Sequence, residues 1–399
     1  MSEIVAIPRS TADVVDAVRA AEADGAALRI VAGGSWLDAA RPIDGGDRPV
    51  RRLDVRAVTG IVEYVPGDLT LTARAGTTLA EIEEATRPHG LWLPLDPYAA
   101  PGATLGATLA TASWGTLAAS NGLPRDLTIG VEFVDGRGMV VRGGGRVVKN
   151  VAGFDLVRLT IGAWGTLGVI TEASVRLRAR PTSECSLALD LPPRPEALAP
   201  FLRALRTAPL TPLAMELVDA PLARATGVGD ADAIVVRLAG NAAALAAQRR
   251  VLAALGAVRE VGNACWRALA TALPADAWTV RLSQRPARLA ALWHETTARA
   301  LDLDGAWRQG SIERGVVRLV VPAREGAALA LRLATLADRW QVIGERLPLE
   351  AWRALPVPAS DRLSATIRRA FDPLQLLNPG VLGHPVAASA PAHPWSLHT

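Results

Sequence analysis

The chain has 399 residues, enough for two or three domains, and 43 basic against 39 acidic residues leave a formal net charge of +4. Its pI near 9.7 comes from arginine standing in for lysine; the charges are interspersed, aromatics are 4%, and no basic block carries interleaved aromatics, so nucleic-acid binding is not expected. No uncharged apolar run reaches the roughly 18 residues of a membrane helix, and the opening MSEIVAIPRS lacks the pattern of a secretory leader. Two cysteines, Cys185 and Cys265, are too few and too far apart for a disulfide framework or a cluster of metal ligands. A cytoplasmic protein is expected, with any membrane association peripheral and made through partners.

In chain order, Ile4–Ile7 reads as a short strand. Ser10 and Asp13 form a capping box, after which Val14, Val15, Val18 and Ala21 share one helical face that ends near Gly25. LRIV at 28–31 returns as a strand into AGGS. Thr78, three residues before Glu81, starts a second helix that closes before Gly90. LTLTARAG and TIGVEFVDGRGMVV read as strands, the latter a hairpin turning near Asp135-Gly136, and GVITEASVRLRARP as a long strand stopped by Pro181. Beyond residue 182 a proline-rich segment leads into a helix, and IVVRLAG (234–240), WTVRLS (278–283) and GVVRLVV (315–321) are strands between Ala/Leu/Arg helices, the texture of an α+β domain. The tail after Gly383 has the composition of a disordered segment.

The candidate chemistry lies in three glycine-bearing segments: AGGSW (32–36), PGATLGATLAT (101–111) and GTLGVI (165–170). A Walker A loop is excluded because Lys149, the only lysine, precedes Asn150, and no Rossmann G-x-G-x-x-G occurs. A tight turn after a strand can bind phosphate oxygens through its amides, and a helix N-terminus favours an anion. Gly165 and Gly168 stand where a strand begins, which marks either a packed turn or a ligand lying against bare main chain. Lys149 and Asn150, two rare polar residues side by side, point to a further site.

The order AGGS, PGATLGATLAT, then KNVAGFDLVRLTIGAWGTLGVITEASVRL resembles the FAD-binding fold shared by vanillyl-alcohol oxidase, para-cresol methylhydroxylase and D-lactate dehydrogenase. It covers residues 1–181, with a further piece at FDPLQLLNPGVL (371–382). Within that superfamily VVKNVAGFDLVRL is most similar to the FAD-binding E subunits of glycolate oxidase. The resemblance implies an α+β protein: a two-subdomain FAD-binding domain (1–181), an α+β cap (182–359), a segment returning to the FAD domain (360–383), and a tail (384–399). It implies FAD bound by Ala32, Gly33, Gly34, Ser35 and Trp36; by Pro101, Gly102, Thr104, Leu105 and Gly106; by Lys149, Asn150 and Gly153; by Gly165, Thr166, Gly168, Val169 and Ile170; and by Asn378, whose alternative role is to cap a turn before Pro379. Asp155 lies in the same intervening motif.

It further implies an oxidoreductase subunit that works with a sister flavin subunit and an iron–sulfur subunit on a small 2-hydroxy acid, hydride leaving the α-carbon for the flavin. No histidine lies near AGGSW, so noncovalent FAD is expected. Related dehydrogenases carry a histidine-rich metal motif in the cap. Here the histidines are His89, His294, His384, His393 and His398, too scattered for a metal site, and no catalytic residue can be named. Arg314 and Arg318 are candidate carboxylate partners. Two alternatives stand beside this reading: a non-catalytic assembly subunit, and a stand-alone FAD oxidoreductase with another substrate.

Overall fold

The computed structural model describes residues 5–34, 39–98, 102–145, 155–274, 276–355 and 362–383. Both capping boxes form where the sequence places them. The Ser10 hydroxyl accepts from Asp13 N and the Asp13 carboxylate from Ser10 N, starting α1 (Thr11–Ala23), whose buried face is Val14, Val18 and Ala21. Val15 lies beside that face, only partly buried. Thr78 and Glu81 start α2 (Leu79–Thr86) in the same way.

Three short strands, β1 (Val5–Ala6), β2 (Ala27–Val31) and β3 (Val50–Asp54), make a parallel sheet in the order β1-β3-β2. The outer edge of β2 is closed by the chain's far end: Leu28 N donates to Leu376 O (2.7 Å) and Asn378 N to Leu28 O (2.9 Å). Next come β4 (Ile61–Val65), β5 (Thr70–Arg74), β6 (Leu91–Trp92), β7 (Thr128–Val134), β8 (Val140–Gly144), β9 (Val169–Arg176) and β10 (Arg178–Ala179). Five of them form an antiparallel sheet, β4-β5-β9-β7-β8, while β6 pairs β10. The expected hairpin is β7–β8, its turn closed by Asp135 N donating to Met139 O. Helix α3 (Leu105–Ala110) lies against this sheet, Leu105 and Leu109 sharing a core with Leu71, Ile82, Phe133 and Val175.

The third sheet holds β11 (Ser183–Asp190), β12 (Ala214–Val218), β13 (Ala233–Gly240), β14 (Val258–Val261), β15 (Ala277–Ser283), β16 (Trp307–Ser311), β17 (Val316–Pro322) and β18 (Gln341–Arg346). Its order is β14-β11-β13-β12-β16-β17-β15-β18, antiparallel throughout. Sequence reasoning found three of these strands, β13, β15 and β17. Others, such as SECSLALD and WRQGS, lack a β-branched run, and their pairing with neighbours decides their conformation. One face packs on helices Leu198–Thr207, Ala242–Leu255 and Gly326–Arg339 through Leu202, Leu252, Leu329 and Leu333. Cross-strand partners Arg281↔Arg318 and Arg318↔Gln309 necessarily share a face, and this polar row meets the N-terminal part of the chain.

Candidate functional site

The first and third glycine segments, and the flank of the helix within the second, meet on one cavity of about 620 Å³. Its wall includes Ala32 and Gly34 from the loop after β2; Gly106, Ala107, Ala110 and Thr111 from α3; and Trp164, Gly165, Gly168, Val169 and Ile170 from the turn into β9. Asn378 and Val381 join from the C-terminal segment, and Trp278, Leu347 and Trp352 from the cap. Gly34 has φ +77°, and among the described residues nothing lies within 4 Å of where its Cβ would be; most side chains adopt this backbone only under strain. Bare main chain thus faces the cavity at this point. Gly33 and Gly102 touch where the first two loops meet.

The helix within the second segment does not offer its N-terminus. Leu105 N donates to Thr77 O and Gly106 N to Ala75 O, and Ala107 N is capped by the Thr104 hydroxyl. Thr104 and Leu105 are buried away from the cavity wall. What α3 contributes is a flank of small residues, which leaves room for a flat ligand.

Gly168 has a different reason to be glycine. A Cβ there would run into the ring of Phe133, 3.0 Å from Cε2 and nearer still to Cδ2, and would stand 3.0 Å from Val134 O. Its missing side chain lets β9 enter the sheet beside a fully buried phenylalanine. Thr166 is buried in the same turn, its hydroxyl donating to Ala163 O (2.7 Å). Trp164, which sequence reasoning passed over, has φ +54°, uncommon for a bulky residue; its amide donates to Ala110 O (2.8 Å). Ser35, Trp36, Pro101, Lys149, Asn150 and Gly153 lie outside the described residues. Asp155 caps helix Leu156–Thr160 by accepting from Arg158 N (3.0 Å).

A second cavity of about 440 Å³ continues from the first, sharing Arg41, Thr111, Trp164 and Trp352 with it. Its far wall is the cap sheet, with Arg281, Arg318 and Glu345, and its rim carries Ser113, Trp114 and Trp340. Two arginines directly opposite on neighbouring strands repel, and Glu345 resolves this. Arg318 donates from Nε and an Nη to the two Glu345 oxygens (2.7 and 2.8 Å), and Arg281 Nε stands 2.7 Å from Oε1. Burial pushes the Glu345 carboxyl up, but the two guanidiniums win and hold it below its ordinary value. Two cations against one anion leave a net positive charge at this wall.

Of the two arginines named from sequence, Arg318 is committed, to Glu345 and to the ring of Tyr98, 3.6 Å from its centroid. Arg314 lies over Trp114 (4.7 Å) and is not on the wall. Arg281 faces the cavity with its side chain 24% exposed, and among the described residues its terminal nitrogens make no hydrogen bond. No sequence signal set it apart in an arginine-rich chain.

A buried polar group pins the cap to the N-terminal part. Gln309 donates to Glu216 (3.1 Å) and to the Tyr98 hydroxyl. Burial drives the Glu216 carboxyl and the Tyr98 phenol well above their ordinary values. Arg41 adds hydrogen bonds to Trp352 O (2.7 Å) and Leu355 O (3.1 Å). His294 is half-buried with Nε2 3.1 Å from Pro195 O, and His89 stands edge-on to Tyr64. Among the described residues, no group of three or more His, Cys, Asp or Glu side chains is placed to hold a metal. No helix among them is long and apolar enough to cross a membrane.

A dinucleotide-sized cleft, walled by glycine-bearing segments and roofed by a large antiparallel sheet, defines an α+β fold of the vanillyl-alcohol oxidase and p-cresol methylhydroxylase type. The solved structure of p-cresol methylhydroxylase with substrate bound superimposes with a TM-score of 0.74 at 15% identity, over 95% of this chain and 88% of that one. Residues 2–144 match the family model described as an FAD binding domain. The glycolate oxidase subunit GlcE of Escherichia coli (strain K12) is 38% identical over 179 residues, 45% of this chain and 50% of that protein. The glycolate oxidase subunit GlcD of Bacillus subtilis (strain 168) is 35% identical over 161 residues, 40% of this chain and 34% of that protein. The chain thus matches half or less of the length of these relatives.

Proposed function

We propose that this chain is the FAD-binding subunit of a 2-hydroxy-acid oxidoreductase complex of the glycolate oxidase kind, holding FAD noncovalently and passing electrons to an iron–sulfur partner beside a sister flavin subunit. The observation that carries the reading is the meeting of separated glycine-bearing segments on one cavity, with Gly34 offering bare main chain to it. The residues proposed to hold the cofactor there are Ala32, Gly34, Gly106, Gly165, Gly168, Val169 and Ile170, with Asn378 closing the wall. No histidine or cysteine is among the described residues lining this cavity, which favours noncovalent attachment. When bound, FAD supplies a two-electron acceptor for hydride from the α-carbon of the acid.

The chain's own contribution is positioning. The second cavity seats the acid: Arg281 anchors its carboxylate by charge-assisted hydrogen bonds, while Trp114, Trp340 and Trp352 line the approach with apolar surface. Glu345 is held ionised between two guanidiniums, which keeps Arg318 in place and leaves Arg281 free to donate outward.

The test is purification of the full chain, alone and with co-purifying partners, followed by an absorbance spectrum with and without glycolate or D-lactate. A flavin spectrum is expected, with the flavin released into the supernatant on acid precipitation and bleached by substrate in the assembled complex. Protein that takes up no flavin after FAD is added refutes the reading; flavin remaining in the acid pellet refutes noncovalent attachment.

A further inference from the structure

We infer that Asn378 is a positioning residue of the FAD cavity, a side-chain tie that sets the spacing between its first and third walls. The inference rests on the reading of this cavity as the FAD seat.

Asn378 stands on the cavity wall, 8% exposed, and its amide is spent on main chain. Oδ1 accepts from Ile30 N (2.8 Å), two residues before the AGGS loop. Nδ2 donates to Trp164 O (2.7 Å), immediately before Gly165. One planar group thus joins the end of β2 to the turn before β9, distant in sequence, with an acceptor on one side and a donor on the other, a combination that only an amide side chain supplies in permanently neutral form. The approach is close: a Cβ on Gly165 would lie 2.9 Å from Nδ2.

The backbone carrying Asn378 is itself anchored. Its φ is +43°, a conformation asparagine visits more readily than other non-glycine residues. Asp372 accepts from Leu376 N (2.9 Å) and Leu377 N (2.8 Å), and Arg48 donates to Leu374 O and Gln375 O (2.8 and 2.9 Å). The C-terminal segment therefore delivers a rigid crosspiece. With both ends of the amide occupied, Asn378 acts through the walls it joins; Trp164, which borders both cavities, is the wall residue it controls most directly.

Two variants of the full chain separate this role from a purely structural one. Asn378→Ala removes both hydrogen bonds. Asn378→Asp keeps the acceptor for Ile30 N, but as a carboxylate it has no donor for Trp164 O and sets two oxygens against each other; protonated, it regains the donor. The charged side chains that share a cavity wall with position 378 are Arg29 and Arg41 on one side and Arg368 and Asp372 on the other. Wild type measured at each pH accounts for their titration.

FAD binding by fluorescence quenching, with visible circular dichroism of the bound flavin, is measured at pH about 8 and about 5. At the higher pH both variants are expected to bind FAD about tenfold more weakly or worse, with an altered dichroism band. At the lower pH, Asn378→Asp is expected to return to within about threefold of wild type, while Asn378→Ala stays weak. Wild-type affinity in either variant at the higher pH, or equal weakness of Asn378→Asp at both, overturns the inference. Failure of wild type to take up FAD overturns the reading of the cavity, and the inference with it.

Discussion

Replacing Gly168 by alanine separates two reasons for a glycine at the head of β9. The added Cβ would stand 3.0 Å from Phe133 Cε2 and from Val134 O, with Cδ2 closer still, where ordinary van der Waals contact needs about 3.4 Å or more. Phe133 cannot swing outward: it is 1% exposed and packed against Phe371, ring centroids 5.8 Å apart. Overfilling such a core costs about 1–3 kcal/mol, equivalent to a fall of about 2–12 °C in the melting temperature of a domain of this size. The φ at Gly168 is not in the left-handed region, so backbone strain adds nothing to that figure. The expected outcome is that apo Gly168→Ala melts lower by this amount and that Phe133→Leu, which shortens the obstructing ring, recovers part of the loss when combined with it. The coupling read from the double-mutant cycle is the measurement. An alanine variant as stable as wild type without flavin, yet weakened in FAD binding, would refute the packing argument and leave cofactor contact as the reason for glycine at this position.

Arg281→Met is expected to weaken binding of a small non-oxidisable carboxylate such as oxalate by about 10- to 100-fold, from the loss of charge-assisted hydrogen bonds, read as quenching of tryptophan fluorescence; unchanged affinity removes Arg281 as the anchor. Asp372 gives a pH prediction. Burial raises its carboxyl to about 6 against its two amide donors. A raised folded-state value means that its contribution to stability is fully present below the unfolded value and is lost as pH climbs through about 6. Between pH about 4 and 7, wild type should lose up to about 3 kcal/mol relative to Asp372→Asn, by urea titration at each pH; parallel pH profiles would refute it.

The residues alone settled what depends on near neighbours. Both capping boxes, the Asp135 hairpin and the three glycine segments are legible because each is a pattern within a few positions whose physics is local. The family resemblance rode on the same short motifs. Residues alone could not say which way a glycine faces: Gly34 opens onto the cavity, whereas Gly168 makes room for Phe133, and only the assembled sheet separates the two. Nor could they tell Arg281 from Arg318 in a chain rich in arginine, since Glu345 pairs with both and the difference lies in the second Arg318–Glu345 hydrogen bond and the Tyr98 ring that Arg318 covers. The short polar strands of the cap, and the two hydrogen bonds through which Asn378 reaches Ile30 and Trp164, belong to the same class. Their energy comes from partners far away in sequence, and only the folded chain brings those partners together.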